Sequence, residues 1–164
     1  MSKAVLLSIR PEWCEKIING QKTIEVRKTR PKMNPPFKCY IYRSVQGGVI
    51  GEFVCDNIFE RIVRVGAICE PPKYCICDWN MDCTPLDTLL ADACLTKDEL
   101  EKYLDGGVGF GWHISNLRIY DTPRELREFY AVPNEVEVAL KAKPKPVTRP
   151  PQSWRYVEEE LWND

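Results

Sequence analysis

The sequence predicts an α+β fold. Short β-rich runs recur at 4–9, 22–27, 38–43, 48–55, 58–65 and 112–120. Between them stand segments with helix start and stop signals. The chain has 164 residues, 44% apolar and 29% charged, enough to bury the core of a single domain without a disulfide staple.

Taken in order, 4–9 (Ala4-Val5-Leu6-Leu7-Ser8-Ile9) reads as a buried strand. Pro11 suits the first position of a helix, where a missing N–H costs nothing. Trp13, Ile17 and Ile18 follow at helical spacing, and Gly20 offers a left-handed cap. Residues 22–27 alternate, with Thr23, Glu25 and Arg27 on one face and Ile24 and Val26 on the other. Pro31, Pro35 and Pro36 force a loop. Residues 38–43, 48–55 and 58–65 then read as separate strands. A helical-leaning insertion is expected at about 68–106. In it, Thr84 and Pro85 open one helix to about Ala93, and Thr96 with Glu99 forms a capping box for a second that Gly106-Gly107 stops. Residues 112–120 return as a strand, and Thr122-Pro123-Arg124-Glu125 predicts a short helix to Phe129. From about 139 to 164 a proline- and lysine-rich stretch predicts an extended basic arm on the one domain, 1–164.

Composition excludes several function classes. The apolar runs fall far short of the ~18–20 residues of a membrane helix. The N-terminus lacks signal-peptide architecture, so a cytoplasmic protein is expected, its eight cysteines held as thiols. A single histidine, His113, rules out any site that needs two. Net charge is only −1 but segregated: 22–43 carries seven cations against Glu25, a net of +6, and 78–105 carries eight acids against two lysines, a net of −6. Cys69, Cys75, Cys77 and Cys83 are spaced poorly for tetrahedral zinc, so neither metal nor other cofactor is expected.

The chemistry concentrates on Gly20-Gln21-Lys22-Thr23-Ile24-Glu25-Val26-Arg27. A helix ends and a strand begins at once, which places Lys22 at the mouth of whatever the strand faces. A carboxylate beside two cations stays ionised and can orient a lysine or accept a hydrogen bond from a base. These three side chains are expected to face one solvent-accessible cavity, with Arg10 at the helix entrance as a weaker member. The run Gly106-Gly107-Val108-Gly109-Phe110-Gly111-Trp112-His113 matches no nucleotide loop. It reads as a turn entering a strand that sends Trp112 and His113 to opposite faces. The tail over 141–154 carries Lys141, Lys143, Lys145 and Arg149 and no acid, and it ends in Gln152-Ser153-Trp154; cations with an aromatic anchor suit a phosphate backbone and one stacked base.

The segment Gly20, Lys22, Glu25, Arg27 resembles the ASCH-domain signature Gly-x-Lys-x-x-Glu-x-Arg. Leu7-Ser8-Ile9-Arg10-Pro11-Glu12-Trp13, Val49-Ile50-Gly51-Glu52-Phe53, Gly111-Trp112-His113-Ile114-Ser115 and the 149–154 tail are similar to bacterial and phage members in the same order. The resemblance implies a PUA-like fold, a small β-barrel flanked by helices, and a cleft that recognises RNA or a nucleotide. It implies a ligand site from Arg10, Lys22, Glu25, Arg27, Trp112, His113, Ser153 and Trp154. One branch of the family hydrolyses N4-acetylcytidine with a threonine where this chain has Glu25, which argues against that reaction here. Two alternatives stay open. One is a hydrolase in the same cleft, a ribonuclease or modified-nucleoside hydrolase with Lys22 as acid or electrostatic stabiliser and Glu25 as base. The other is a protein-interaction adaptor built on the acidic insertion.

Overall fold

The computed structural model describes residues 2–65, 73–77, 83–84 and 86–160. Its elements in chain order are β1 (Lys3–Ile9), α1 (Pro11–Ile18), β2 (Ile24–Arg27), β3 (Phe37–Arg43), β4 (Val49–Val65), β5 (Lys73–Cys77), β6 (Cys83–Thr84), α2 (Asp87–Ala93), α3 (Lys97–Leu104), β7 (Gly109–Arg124), a 3₁₀ turn (Leu126–Glu128), α4 (Glu135–Ala139) and β8 (Trp154–Glu158). They group into two compact units. Unit 1 comprises Met1–Glu15, Pro36–Val54 and Asn116–Asp164; unit 2 comprises Lys16–Pro35 and Cys55–Ser115. Along the chain, α1, β4 and β7 each run through both.

In unit 1 the strands lie in the order β7-β4-β3-β1-β8. β1 runs parallel to β3, with Val5 opposite Cys39 and Ile9 opposite Arg43. On its other side β1 pairs antiparallel with β8, with Leu6 opposite Arg155 and Ala4 opposite Val157. The apolar run read at 4–9 is buried because β1 is flanked on both sides. One face packs Ala4, Leu6, Tyr40, Val49, Phe129, Val147 and Val157 into a core. The Tyr40 and Phe129 rings meet at 4.9 Å and 60°, a tilted contact that aromatic pairs favour. Gly47 and Gly48 (φ +83° and +86°) let the chain turn from β3 into β4, where the Gly47 N–H donates to the Arg43 carbonyl at 2.8 Å.

The arm expected beyond residue 139 is tied to this core. The Val147 N–H donates to the Phe129 carbonyl at 2.8 Å, and the Ala131 N–H donates to Lys145. Val147 is 1% exposed. The Ser8 hydroxyl donates to the Pro151 carbonyl at 2.5 Å, and β8 completes the edge of the sheet.

In unit 2, β7 pairs with β2 on one side and β4 on the other, and β4 continues to β5 and β6. Ile24, Val26, Ile62, Tyr74, Leu86, Leu89, Ala93, Leu100 and Leu104 form its core. The Thr96 and Glu99 capping box is present in full, and α3 ends in left-handed Asp105 before Gly106. In the described part of 68–106, α2 and α3 hold more residues than the β5–β6 hairpin.

Four local expectations need correction. Residues 49–65 form one 17-residue strand rather than two, because Asp56-Asn57 stays in the ladder instead of turning. Helix α2 starts at Asp87, not Thr84, which belongs to β6. Pro123 lies inside β7, and the helix expected to Phe129 is a single 3₁₀ turn entered from Glu125. The glycine-dense run is not a loose turn throughout, since Gly109 and Gly111 are strand residues. A Cβ on Gly111 would stand 3.2 Å from Ile24 and 3.3 Å from Leu89, and one on Gly109 would stand 2.9 Å from Leu104. These glycines make room for core side chains and build no phosphate cradle.

Candidate functional site

Unit 2 brings Lys22, Glu25 and Arg27 together. The α1 end holds the segment from below: the Gly20 N–H donates to the Ile17 carbonyl at 3.1 Å and the Lys22 N–H to Lys16 at 2.9 Å. The Thr23 N–H then donates to Asp92, and Thr23 accepts from the Ile114 N–H, both at 2.8 Å. Lys22 precedes the strand proper, so it escapes strict alternation and reaches the same side as Glu25. Its Nζ stands 3.3 Å from Glu25 Oε2 and donates to the Ala93 carbonyl at 2.6 Å. That carbonyl is at the C-terminal end of α2, where an ammonium is favoured by the helix dipole. Glu25 Oε1 accepts from Arg27 Nε at 3.0 Å and lies 2.9 Å from Nη2. One carboxylate therefore joins two cations.

The triad is buried rather than solvent-facing: Lys22 is 3% exposed, and Glu25 and Arg27 are 7% each. On the same strand Ile24 and Val26 enter the core, as their alternation requires. In the β2–β7 ladder Glu25 stands opposite Trp112 and Ile24 opposite His113. Cross-strand partners share a face, so the fully buried Trp112 belongs to the triad's face and His113 to the other.

His113 has a partner that sequence reasoning did not find. Its Nδ1 lies 2.6 Å from Asp56 Oδ1, and both side chains are more than a third exposed. The hydrogen bond to His113 holds the Asp56 carboxyl below the usual range, opposed by slight desolvation. The neighbouring Cys55 differs. Burial pushes its thiol up to about 12, and the thiol donates to the Asn57 carbonyl at 3.4 Å. It is an inert thiol at neutral pH. Tyr103 is a second feature missed. It is 39% exposed, feels the charges of Arg27 and Glu25, and lies with its ring centroid 5.0 Å from Lys28 Nζ. Its signal was available as an aromatic on the capped α3, but nothing local links position 103 to position 27.

Arg10, Ser153 and Trp154 belong to unit 1. Arg10 is exposed, and its carbonyl accepts from the Trp13 and Cys14 N–H groups at the start of α1. The Ser153 carbonyl accepts from the Ser8 N–H at 3.0 Å. Trp154 packs edge-on to Tyr156 at 5.3 Å and 83°. Unit 1 also contains a buried polar cluster to which the sequence assigned no role, although its Glu52 lies in the 49–53 block. Glu52, 8% exposed, accepts from the Tyr120 hydroxyl at 2.7 Å and stands 3.8 Å from Lys38 Nζ. Burial, then the bond to Glu52, raises the Tyr120 phenol and keeps it a donor.

Of the cysteines weighed for zinc, Cys69 lies outside the described residues, and Cys75 is a buried thiol. Among the described residues, no cluster of three or more metal-ligating side chains is present. No helix among them is long and apolar enough to cross a membrane.

Residues 7–77, which contain the triad, match the ASCH domain family. That stretch, just under half of the chain, is similar to the ASCH domain. The structure is similar to the crystal structure of ASCH from Zymomonas mobilis, with a TM-score of 0.60 and 17% identity over 95% of this chain and 88% of that one. A tyrosine-to-phenylalanine variant of that protein matches equally, at 0.60 and 17% over 96% and 92%. A serine-to-alanine variant matches at 0.59 and 17% over 95% and 89%. At this identity the likeness establishes the fold, which is α+β and PUA-like. A search of curated proteins found no match.

Proposed function

We propose that this protein binds RNA or a nucleotide through the Lys22–Glu25–Arg27 segment. The observation that carries the reading is the triad itself. Two cations share one carboxylate in a site almost closed to water. The three side chains sum to +1, and a positive charge in low-dielectric surroundings attracts an anion more strongly than the same charge in water. Tyr103 and Lys28 supply the other half of the chemistry: an exposed ring for a base to stack on and a cation beside it. In this reading Glu25 fixes Lys22 and Arg27 in place, and an entering phosphate competes with the Ala93 carbonyl for Lys22.

The test is single-stranded RNA titrated against the wild type and Lys22→Ala at several salt concentrations, with melting curves confirming that the variant is folded. Affinity should fall, and the slope of log affinity against log salt should become shallower by about 0.7, the single-strand value per phosphate. An unchanged slope in a folded variant would refute the reading.

A second reading, hydrolysis of RNA or a modified nucleoside, is favoured by one observation. The exposed His113–Asp56 pair has the arrangement of an oriented general base. Turnover lost by roughly 10²-fold in His113→Gln, with binding retained, would support it. Absence of product after long incubation would leave binding alone.

A further inference from the structure

Unit 1 contains a groove of about 580 Å³ that the triad does not touch, lined by residues of the C-terminal arm and β8. Its volume falls inside the ~300–1,000 Å³ range of small-ligand sites. The walls include Arg149, Pro151, Gln152, Trp154, Arg155 and Tyr156, and among the described residues no carboxylate lines it. Among the described residues, neither Arg149 nor Arg155 is held in an ion pair. Arg149 is exposed, while Arg155, Trp154 and Tyr156 are half-buried. We infer that this groove is a second binding site, which takes a nucleoside 5′-phosphate unit, free or within single-stranded RNA.

Three features support it. The charge is of one sign: the lining residues include two arginines, Arg149 and Arg155, and a guanidinium can grip a phosphate bidentately. The aromatic surface is concentrated, since Trp154 and Tyr156 are two apart on β8 and share a face at 5.3 Å, while Gln152 adds an amide that can donate to and accept from a base edge. The frame is also fixed beforehand. Pro150-Pro151 restricts the backbone, Ser8 holds the Pro151 and Ser153 carbonyls at 2.5 and 3.0 Å, and β8 is locked to β1 with Leu7 opposite Trp154. Ligand binding therefore orders little new chain. The inference shares its ligand class with the proposed function but none of its residues.

The experiment uses the whole chain and three probes: AMP, inorganic phosphate and a single-stranded hexanucleotide. AMP should quench tryptophan fluorescence, and Trp154→Phe should remove most of that quenching although four other tryptophans remain. The double variant Arg149→Ala/Arg155→Ala should flatten the hexanucleotide's salt slope by about 1.4, two phosphates at about 0.7 each. Two results would overturn the inference: quenching that survives in Trp154→Phe, or phosphate alone displacing AMP at equal concentration, which would show that the base is not read. Loss of binding in the double variant but not in Lys22→Ala would support the groove and refute the triad reading. The reverse would refute the groove alone. If the site is confirmed, a hexanucleotide that binds at least ten-fold tighter than AMP assigns it to RNA, and equal affinity assigns it to the free nucleotide.

Discussion

At the scale of single residues, the consequential pairings are charged and partly or wholly buried. Glu25 is the hub of the triad, so its removal leaves Lys22 and Arg27 without their shared carboxylate in a site where each is under 10% exposed. Breaking a buried pair from one side typically costs about 3–5 kcal/mol. Glu25→Ala should therefore unfold at markedly lower denaturant, and a midpoint within error of wild type would contradict the network. Asp56 and His113 make the opposite case, an exposed pair with a pH signature. The folded state holds the Asp56 carboxyl below its ordinary 3.8. Its contribution to stability is thus present above the unfolded value and is lost as pH falls through the folded one. A carboxyl-carbon NMR titration of His113→Gln should show Asp56 moving up toward that ordinary value, and no movement would exclude His113 as the cause. The residues of the triad were legible from their spacing. Their burial was not, because Lys22 is covered by the end of α2, 71 positions away, and no local pattern records that contact.

At the scale of elements, caps and alternation were readable because their physics is local. Pro11, Gly20, the Thr96–Glu99 box and the two faces of β2 each depend on neighbours within four positions. Long strands were harder to read. Asp56-Asn57 and Pro123 carry turn chemistry, yet pairing keeps both inside strands. Glycines in strands were hardest, since their reason lies across the ladder. Gly51 shows this most sharply: a Cβ there would stand 2.5 Å from the Arg118 carbonyl oxygen and 3.0 Å from Ile119. The nearer atom is backbone and cannot rotate away. Gly51→Ala should cost at least the ~1–3 kcal/mol of an overpacked core and lower Tm by about 2–4 °C per kcal/mol for a chain of this size. A melting temperature equal to wild type would mean that β4 and β7 can separate locally at no cost.

At the scale of the whole molecule, α+β and PUA-like was within reach of the sequence, but the division into two units was not. Each unit is assembled from segments far apart in the chain. Of the four boundaries, 35–36 falls in the Pro35-Pro36 loop that composition marks, but 15–16, 54–55 and 115–116 fall within α1, β4 and β7, where no linker composition marks them. Charge behaves similarly: the total of −1 conceals a net of +6 over 22–43 and −6 over 78–105. A protein so nearly neutral has no global field to draw RNA in, so its affinity should rest on a few placed cations. The two proposed sites offer five: Lys22, Arg27 and Lys28 in one, Arg149 and Arg155 in the other. At about 0.7 per phosphate, the salt slope for single-stranded RNA should be no steeper than about −3.5. A steeper slope would mean that the wider 22–43 segment, with Arg30, Lys32, Lys38 and Arg43, tracks the backbone. Part of that segment is already committed, since Arg30 is paired with Glu60 and Lys38 lies beside Glu52. The limit of five is therefore the expected result, and binding measured from about 25 to about 300 mM salt decides it.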